Sequence, residues 1–262
     1  MKSVRMDFPT SWERCNVYAL GDLHIGDPHT NDAEIQRRLA EAKNDPCGVI
    51  ILNGDLMNTA TRNSVSDVYG ELLSPMQQIE YMVKLLMPIK DKIIGVTAGN
   101  HENRVYKSDG IDTTRLVCRE LGIENRYAPE GIVIFLRFGV KNGHYRHKNQ
   151  NQSQLYTVYA THGSGGGRKE GAKAIRLADM ASIVDADVYI HSHTHLPMIF
   201  KQGYYRTNPF SSVVSFVERL FVNTGAALEY GGYSQAKEFK PAGVSTPVIT
   251  LYAGHKKASA RM

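Results

Sequence analysis

Five short motifs carry side chains that bind divalent cations. They read Asp22-x-His24, Gly54-Asp55, Gly99-Asn100-His101, His162-Gly163 and His193-x-His195. The donor set is two carboxylates, one amide oxygen and several imidazoles, with no thiolate. That mix suits manganese, iron, zinc, cobalt or nickel better than a thiolate zinc site. Six or seven protein ligands exceed the needs of one catalytic ion and match two ions bridged by a carboxylate. Each motif alone has a plain structural explanation. Asp-x-His reads as an Asx turn, Gly54-Asp55 as a simple turn, Gly99-Asn100-His101 as a helix start and His162 as a satisfied polar residue. Five together are not explained by turns.

What positions them is a series of short apolar runs. NVYAL (16–20), GVIIL (48–52), KIIGVTA (92–98), YTVYA (156–160), DVYI (187–190) and RLFVNT (219–224) each stop at a motif or at a glycine. Runs of this length fit strands buried on both faces. Sites in open α/β sheets gather outside the carboxyl ends of such strands. Helical patterns lie between them at 33–42, behind the cap Asn31-Asp32, and at 75–86, where Met76, Ile79, Met82, Val83 and Leu86 share helical spacing as core. Two more run 113–121, closed by Gly122, and 172–184. Strand–helix alternation predicts a largely parallel sheet. Further strands at 131–138, 197–207, 213–224 and 247–253, with no long helix between them, predict a second sheet.

The chain has 262 residues, 42% of them hydrophobic and 22% charged, which is ordinary for a soluble globular protein. One domain spanning 1–262 is expected, with a mobile basic tail at 255–262. Formal net charge is +5, with a pI of about 9.0. That excess suits a polyanion, and equally a solvated basic surface. Three scattered cysteines with no CxxC point to a reducing compartment. The N-terminus has no apolar signal region, and Arg137 interrupts the longest apolar stretch. A cytoplasmic protein without membrane partners is expected; the oligomeric state is left open.

GDLHIG (21–26), NGDLMN (53–58), GNHE (99–102), THG (161–163) and SHTH (192–195) resemble, in order, the motifs of the calcineurin-like metallophosphoesterases. The resemblance spans roughly residues 16–226. It implies an α/β fold, a four-layer α/β/β/α sandwich of two mixed β-sheets flanked by helices. It also implies two divalent metal ions, with manganese serving in vitro. Asp22, His24 and His195 would bind the first, Asp55 would bridge, and Asn100, His162 and His193 would bind the second. His101 would contact the scissile phosphate and protonate the leaving oxygen, while a hydroxide bridging the metals attacks phosphorus in line. The family usually has glycine where Ser192 stands. His191 lies outside the motif and reads as a supporting residue.

The resemblance implies a phosphoester substrate. GDLMNTATRN lacks the Asp-Arg-Gly continuation of protein phosphatases, and Asp-x-His-x-Gly is similar to repair nucleases and small phosphodiesterases. A phosphodiester of DNA, RNA or a nucleotide is therefore expected. The alternatives are a phosphomonoesterase and a non-enzymatic scaffold on the same fold. Arg62, Arg104, Arg168 and Lys169 are candidates to reach substrate, the last two within the glycine-rich stretch GSGGGRKEG (163–171); each reads equally as a solvated charge. The basic loop 141–154 and the insertion 201–219 are expected to set access or an interface.

Overall fold

The computed structural model describes residues 1–62, 64, 68–141, 144–145, 154–165, 167, 169–236, 238 and 240–262. In chain order the elements are β1 (Lys2–Pro9), β2 (Arg14–Leu20), α1 (Asp32–Asn44), β3 (Gly48–Asn53), α2 (Pro75–Leu86), β4 (Ile93–Thr97), α3 (Asn100–Asp109) and α4 (Thr113–Glu120). There follow β5 (Ile132–Lys141), β6 (His144–Tyr145), β7 (Leu155–Ala160), α5 (Glu170–Ile183), β8 (Val188–His191), β9 (Met198–Asn208), β10 (Val213–Asn223), α6 (Gly232–Ala236), β11 (Val248–Tyr252) and β12 (Ala258–Arg261).

Side-chain alternation sorts these strands into layers. In β2, Tyr18 and Leu20 pack with Ile35 and Leu39 of α1, Met82 and Leu86 of α2 and Val117 of α4. Val17 and Ala19, on the other face, pack with Ile134 of β5, Val158 of β7 and Ile190 of β8. The far side of that second group, Val133, Tyr159, Tyr189 and Phe221, closes on Leu177 and Met180 of α5. The order is therefore helices, sheet, sheet, helix. One sheet runs β12-β11-β2-β3-β4, and the other β1-β5-β7-β8-β10-β9 with β6 on β5. Both are mixed. β2, β3 and β4 are parallel while β11 is antiparallel to β2. β7, β8 and β10 are parallel while β9 is antiparallel to β10. This is the expected α/β/β/α sandwich.

Local chemistry starts and stops the helices where the motifs need them. Asn31 caps α1 by accepting from the Glu34 amide, and Ser74 with Gln77 forms a capping box ahead of Pro75 on α2. Asp112 caps α4, and Gly122 closes its far end at φ 72°.

Several expectations change. Met76, read as core, is exposed on α2. The N-terminal residues, given no element in the sequence, form β1 and pair in parallel with β5. The stretch expected as a mobile tail is tied down instead, because Ala258–Arg261 pairs antiparallel with β11. Its alternating small side chains, Ala258 and Ala260, rest against the core between the sheets. The 201–219 insertion is the outer part of the β9–β10 hairpin, with Tyr205, Phe210, Val213, Val214 and Phe216 exposed toward its tip. Most of the 141–154 loop lies outside the described residues. No helix among the described residues is long and apolar enough to cross a membrane.

Candidate metal centre

Every motif leaves the carboxyl end of a strand at the same rim. Asp22 and His24 follow β2, Asp55 follows β3, Asn100 and His101 open α3 after β4, His162 follows β7, and His193 and His195 follow β8. Five of these take left-handed backbone angles: Asp22 (φ 53°), His24 (50°), Asp55 (48°), His193 (66°) and His195 (54°). Non-glycine residues avoid that region at a cost of about 1–3 kcal/mol each. Backbone bonds between loops hold them there. The amides of Asp22 and His24 donate to the carbonyls of Gly54 and Asp55, each at 3.0 Å, and Ala227 donates to the Asp22 carbonyl at 2.9 Å.

The side chains converge in three overlapping groups that could hold metal: Asp22, His24 and His195; His24, Asp55 and His101; Asp55, His162 and His193. His24 Nε2 and His195 Nε2 are 3.2 Å apart, and His195 Nε2 lies 3.4 Å from Asp22 Oδ1. His162 Nε2 is 3.2 Å from both Asp55 Oδ2 and Asn100 Oδ1, while His193 Nδ1 is 2.7 Å from Asn100 Oδ1. Asp55 belongs to two of the groups and His24 to two, which makes them one continuous cluster.

The electrostatics favour cations. Burial opposes the Asp55 charge, yet His162 and then His101 hold its carboxyl well below the usual range. Burial pushes His162 down, but Asp55 and then Asp22 raise it to about 10. Burial and the neighbouring His101 push His24 well below its ordinary value, so it is neutral, as a metal ligand must be.

His101 sits beside this cluster. Its amide donates to Asp55 Oδ1 at 2.8 Å, and its Nδ1 lies 3.0 Å from the Asn58 carbonyl. A carbonyl only accepts, so Nδ1 carries the proton and Nε2 holds the lone pair. The Arg104 guanidinium stands 3.0 Å from that Nε2. The structure thus brings Arg104 to the centre. Arg62 and Lys169 are exposed, and Arg168 lies outside the described residues.

Supporting groups went unassigned in the sequence. Glu102 is buried and accepts from three amides: Gly99 at 2.8 Å, Met57 at 2.9 Å and Asp55 at 3.1 Å. It fastens the Asp55 loop to the start of α3. Burial, then the Asp55 charge, raises its carboxyl to about 7. Its signal was present as the last letter of GNHE. Glu102→Ala leaves three buried amides without acceptors, at about 1–3 kcal/mol each. A fall in Tm of about 6 °C or more is expected by calorimetry of the metal-free protein; an unchanged Tm would show that the loop is held by other bonds. Gly99 allows the close approach, since a Cβ there would lie 2.0 Å from Asp55 Oδ1.

Ser192 belongs to a buried network beneath the cluster. Asn53 Nδ2 donates to its Oγ at 2.7 Å and Thr224 Oγ1 at 2.8 Å. The hydroxyl occupies space over Gly21, where a Cβ would lie 2.4 Å from it. Serine at this position is therefore accommodated by glycine opposite. His191 belongs to none of the three groups. Its Nδ1 lies 2.8 Å from Asn223 Oδ1, and Asn223 Nδ2 donates to Thr194 Oγ1 and to the Leu196 carbonyl at 2.9 and 2.6 Å. That chain of hydrogen bonds sets the loop carrying His193 and His195.

A family model described as calcineurin-like phosphoesterase matches residues 23–197. No curated protein matches the chain. Among solved structures, vacuolar protein sorting 29 of Cryptosporidium parvum is 16% identical, with 95% of this chain and 98% of that chain covered and a TM-score of 0.47. A predicted phosphoesterase of Streptococcus pneumoniae is 14% identical, with coverages of 96% and 100% and a TM-score of 0.37. Calcineurin-like phosphoesterase YfkN of Bacillus subtilis is 13% identical, with coverages of 95% and 90% and a TM-score of 0.39.

Proposed function

Because the chain belongs to the calcineurin-like phosphoesterase family, we propose that it is a dinuclear metal-dependent phosphodiesterase acting on nucleic acid or nucleotides. The observation that carries this is the single cluster in which Asp55 joins the His162–His193 group to the His24–His101 group. The donor set fits two borderline cations, being anionic and rich in imidazole. His24 Nδ1 is buried with no partner. Asp22, His24 and His195 would hold one ion, Asn100, His162 and His193 the other, and Asp55 both. Bound there, two cations would polarise a phosphoryl oxygen and lower the pKa of a water between them. Manganese is our choice for reconstitution, with iron, zinc, cobalt or nickel as alternatives.

The chain's own residues supply the rest. His101, whose amide is bonded to Asp55, would deliver a proton to the departing oxygen through Nε2 only after that atom, which holds a lone pair here, has taken one up. Burial holds the imidazole down at about 4, so the uptake would follow arrival of the negatively charged phosphate. In the present arrangement Arg104 occupies that atom. A phosphate oxygen is a better acceptor for a guanidinium than an imidazole is, so substrate would draw Arg104 onto itself and release Nε2. The three cysteines are free, which supports our reading of a cytoplasmic protein.

The deciding experiment compares bis-p-nitrophenyl phosphate with p-nitrophenyl phosphate on metal-reconstituted protein. Faster turnover of the diester is expected. Preference for the monoester would move the reading to a phosphomonoesterase, and turnover of neither by a metal-loaded chain would leave a scaffold. Binding itself is expected to raise stability. A metal at a hundred times its Kd adds about 2.7 kcal/mol, or roughly 5–11 °C in Tm. A Tm indifferent to manganese, zinc and chelator would count against a metal centre.

A further inference from the structure

A cleft of about 860 Å³ opens beside the centre, bounded by α3, α4 and the loop after β7. Asn100 and His162 line it at the metal end, so its contents would be continuous with a phosphate on the cluster. Its outer wall carries Lys107 from α3 and Arg115 and Arg119 from α4. The two arginines are four residues apart on one helix face. Asp112 and Glu130 also line it, and the Asp112 carboxylate already accepts from the Tyr127 hydroxyl at 2.9 Å and caps α4. Arg115 is turned toward Glu124, at 2.6 Å. Lys107 and Arg119 are exposed, and so is Tyr106, at 57% exposure on the same wall.

A scissile phosphate alone needs little of this space, since clefts of about 300–1,000 Å³ take a whole small-molecule ligand. A cationic wall with an exposed aromatic ring is the chemistry that follows a single strand: charges on the backbone, a ring for a base. A duplex keeps its bases stacked and offers none to Tyr106. Resting on the diesterase reading of the adjoining cluster, we infer that this cleft holds the nucleotides flanking the scissile phosphate of a single-stranded nucleic acid. Lys107 and Arg119 contact the neighbouring phosphates, and Tyr106 stacks on a base.

The test uses the full, manganese-loaded chain and a fluorescein-labelled oligothymidylate, read by anisotropy across a salt series. Lys107→Glu with Arg119→Glu is expected to weaken binding at low salt about tenfold or more. It should also flatten the slope of log Kd against log salt by about 0.7 for each phosphate no longer neutralised. Tyr106→Ala should weaken binding about tenfold at any salt. Lys43→Glu with Lys84→Glu, an equal charge change at two exposed lysines of α1 and α2 that do not line the cleft, controls for net charge and should have the smaller effect. Variants that bind like the wild type would overturn the cleft, and so would tighter binding of the matching duplex. Turnover of bis-p-nitrophenyl phosphate separates the two readings. If it is hydrolysed while the variants bind normally, the diesterase stands and the cleft falls. If no diester is hydrolysed while charge reversal still releases oligonucleotide, the cleft stands and the diesterase falls.

Discussion

Asp55→Asn is expected to bring hydrolysis of bis-p-nitrophenyl phosphate down by at least about 10³-fold and to strip the protein of its metal pair. Of the two residues shared between groups, Asp55 is the carboxylate, next to His162 on one side and near His24 and His101 on the other. An amide keeps the shape but not the negative charge between two cations. Removing one electrostatic partner of developing charge in a closed site already costs about 10²–10³ in kcat, and this change removes the bridge on which both ions depend. The fold should survive, because an asparagine Oδ1 can still accept the His101 amide bond that Asp55 Oδ1 accepts. The measurement is metal content by elemental analysis alongside kcat, with thermal unfolding as the check on folding. A folded Asp55→Asn protein with normal metal content and turnover would sink the bridging role.

His101→Ala should separate chemistry from metal binding. Positioned acids and bases contribute about 10²–10⁴-fold, so kcat should fall by that much while both ions are retained. The size of the fall should depend on the leaving group. A nitrophenolate departs without help and needs little protonation, whereas the alkoxide of a sugar hydroxyl needs a proton as the bond breaks. The loss should therefore be larger on a dinucleotide than on bis-p-nitrophenyl phosphate. Equal losses on both would argue that His101 positions substrate instead of protonating the leaving oxygen. Loss of metal in the alanine protein would argue that it is a ligand, since His101 does fall within one of the three metal-capable groups.

Much of the fold is legible along the chain because burial on two faces leaves an unmistakable mark. The runs 16–20, 48–52 and 156–160 are apolar at nearly every position, and each became an inner strand, β2, β3 and β7. Edge elements carry a weaker mark. β12, Ala258–Arg261, opens on short side chains preceded by Lys256 and Lys257 and reads as a basic tail. It is a strand because β11 presents an unpaired edge to it, and that edge is not visible locally. Met76 fails for the opposite reason. Helical spacing placed it among core residues, but α2 buries only part of that arc, and its first three residues are exposed.

Residue types and motif order by themselves indicated which side chains would gather, since the ends of neighbouring parallel strands lie side by side within each sheet. That is why Asp22 with Asp55, and His162 with His195, far apart in sequence, could be grouped before any coordinates. That the ends of β2, β3 and β4 face those of β7 and β8 was decided by how the two sheets pack. Distances, orientation and support were decided only in three dimensions. Glu102 could be named as part of GNHE, but that it ties down three amides of two loops follows from where β3 and β4 end. His191 and His193 are two residues apart and chemically identical. One turns to Asn223 and the other to Asn100, because the backbone between strand and loop passes from extended to left-handed at His193. Composition cannot encode that difference. It arises when loops from two sheets hydrogen-bond one another into angles that none would adopt alone.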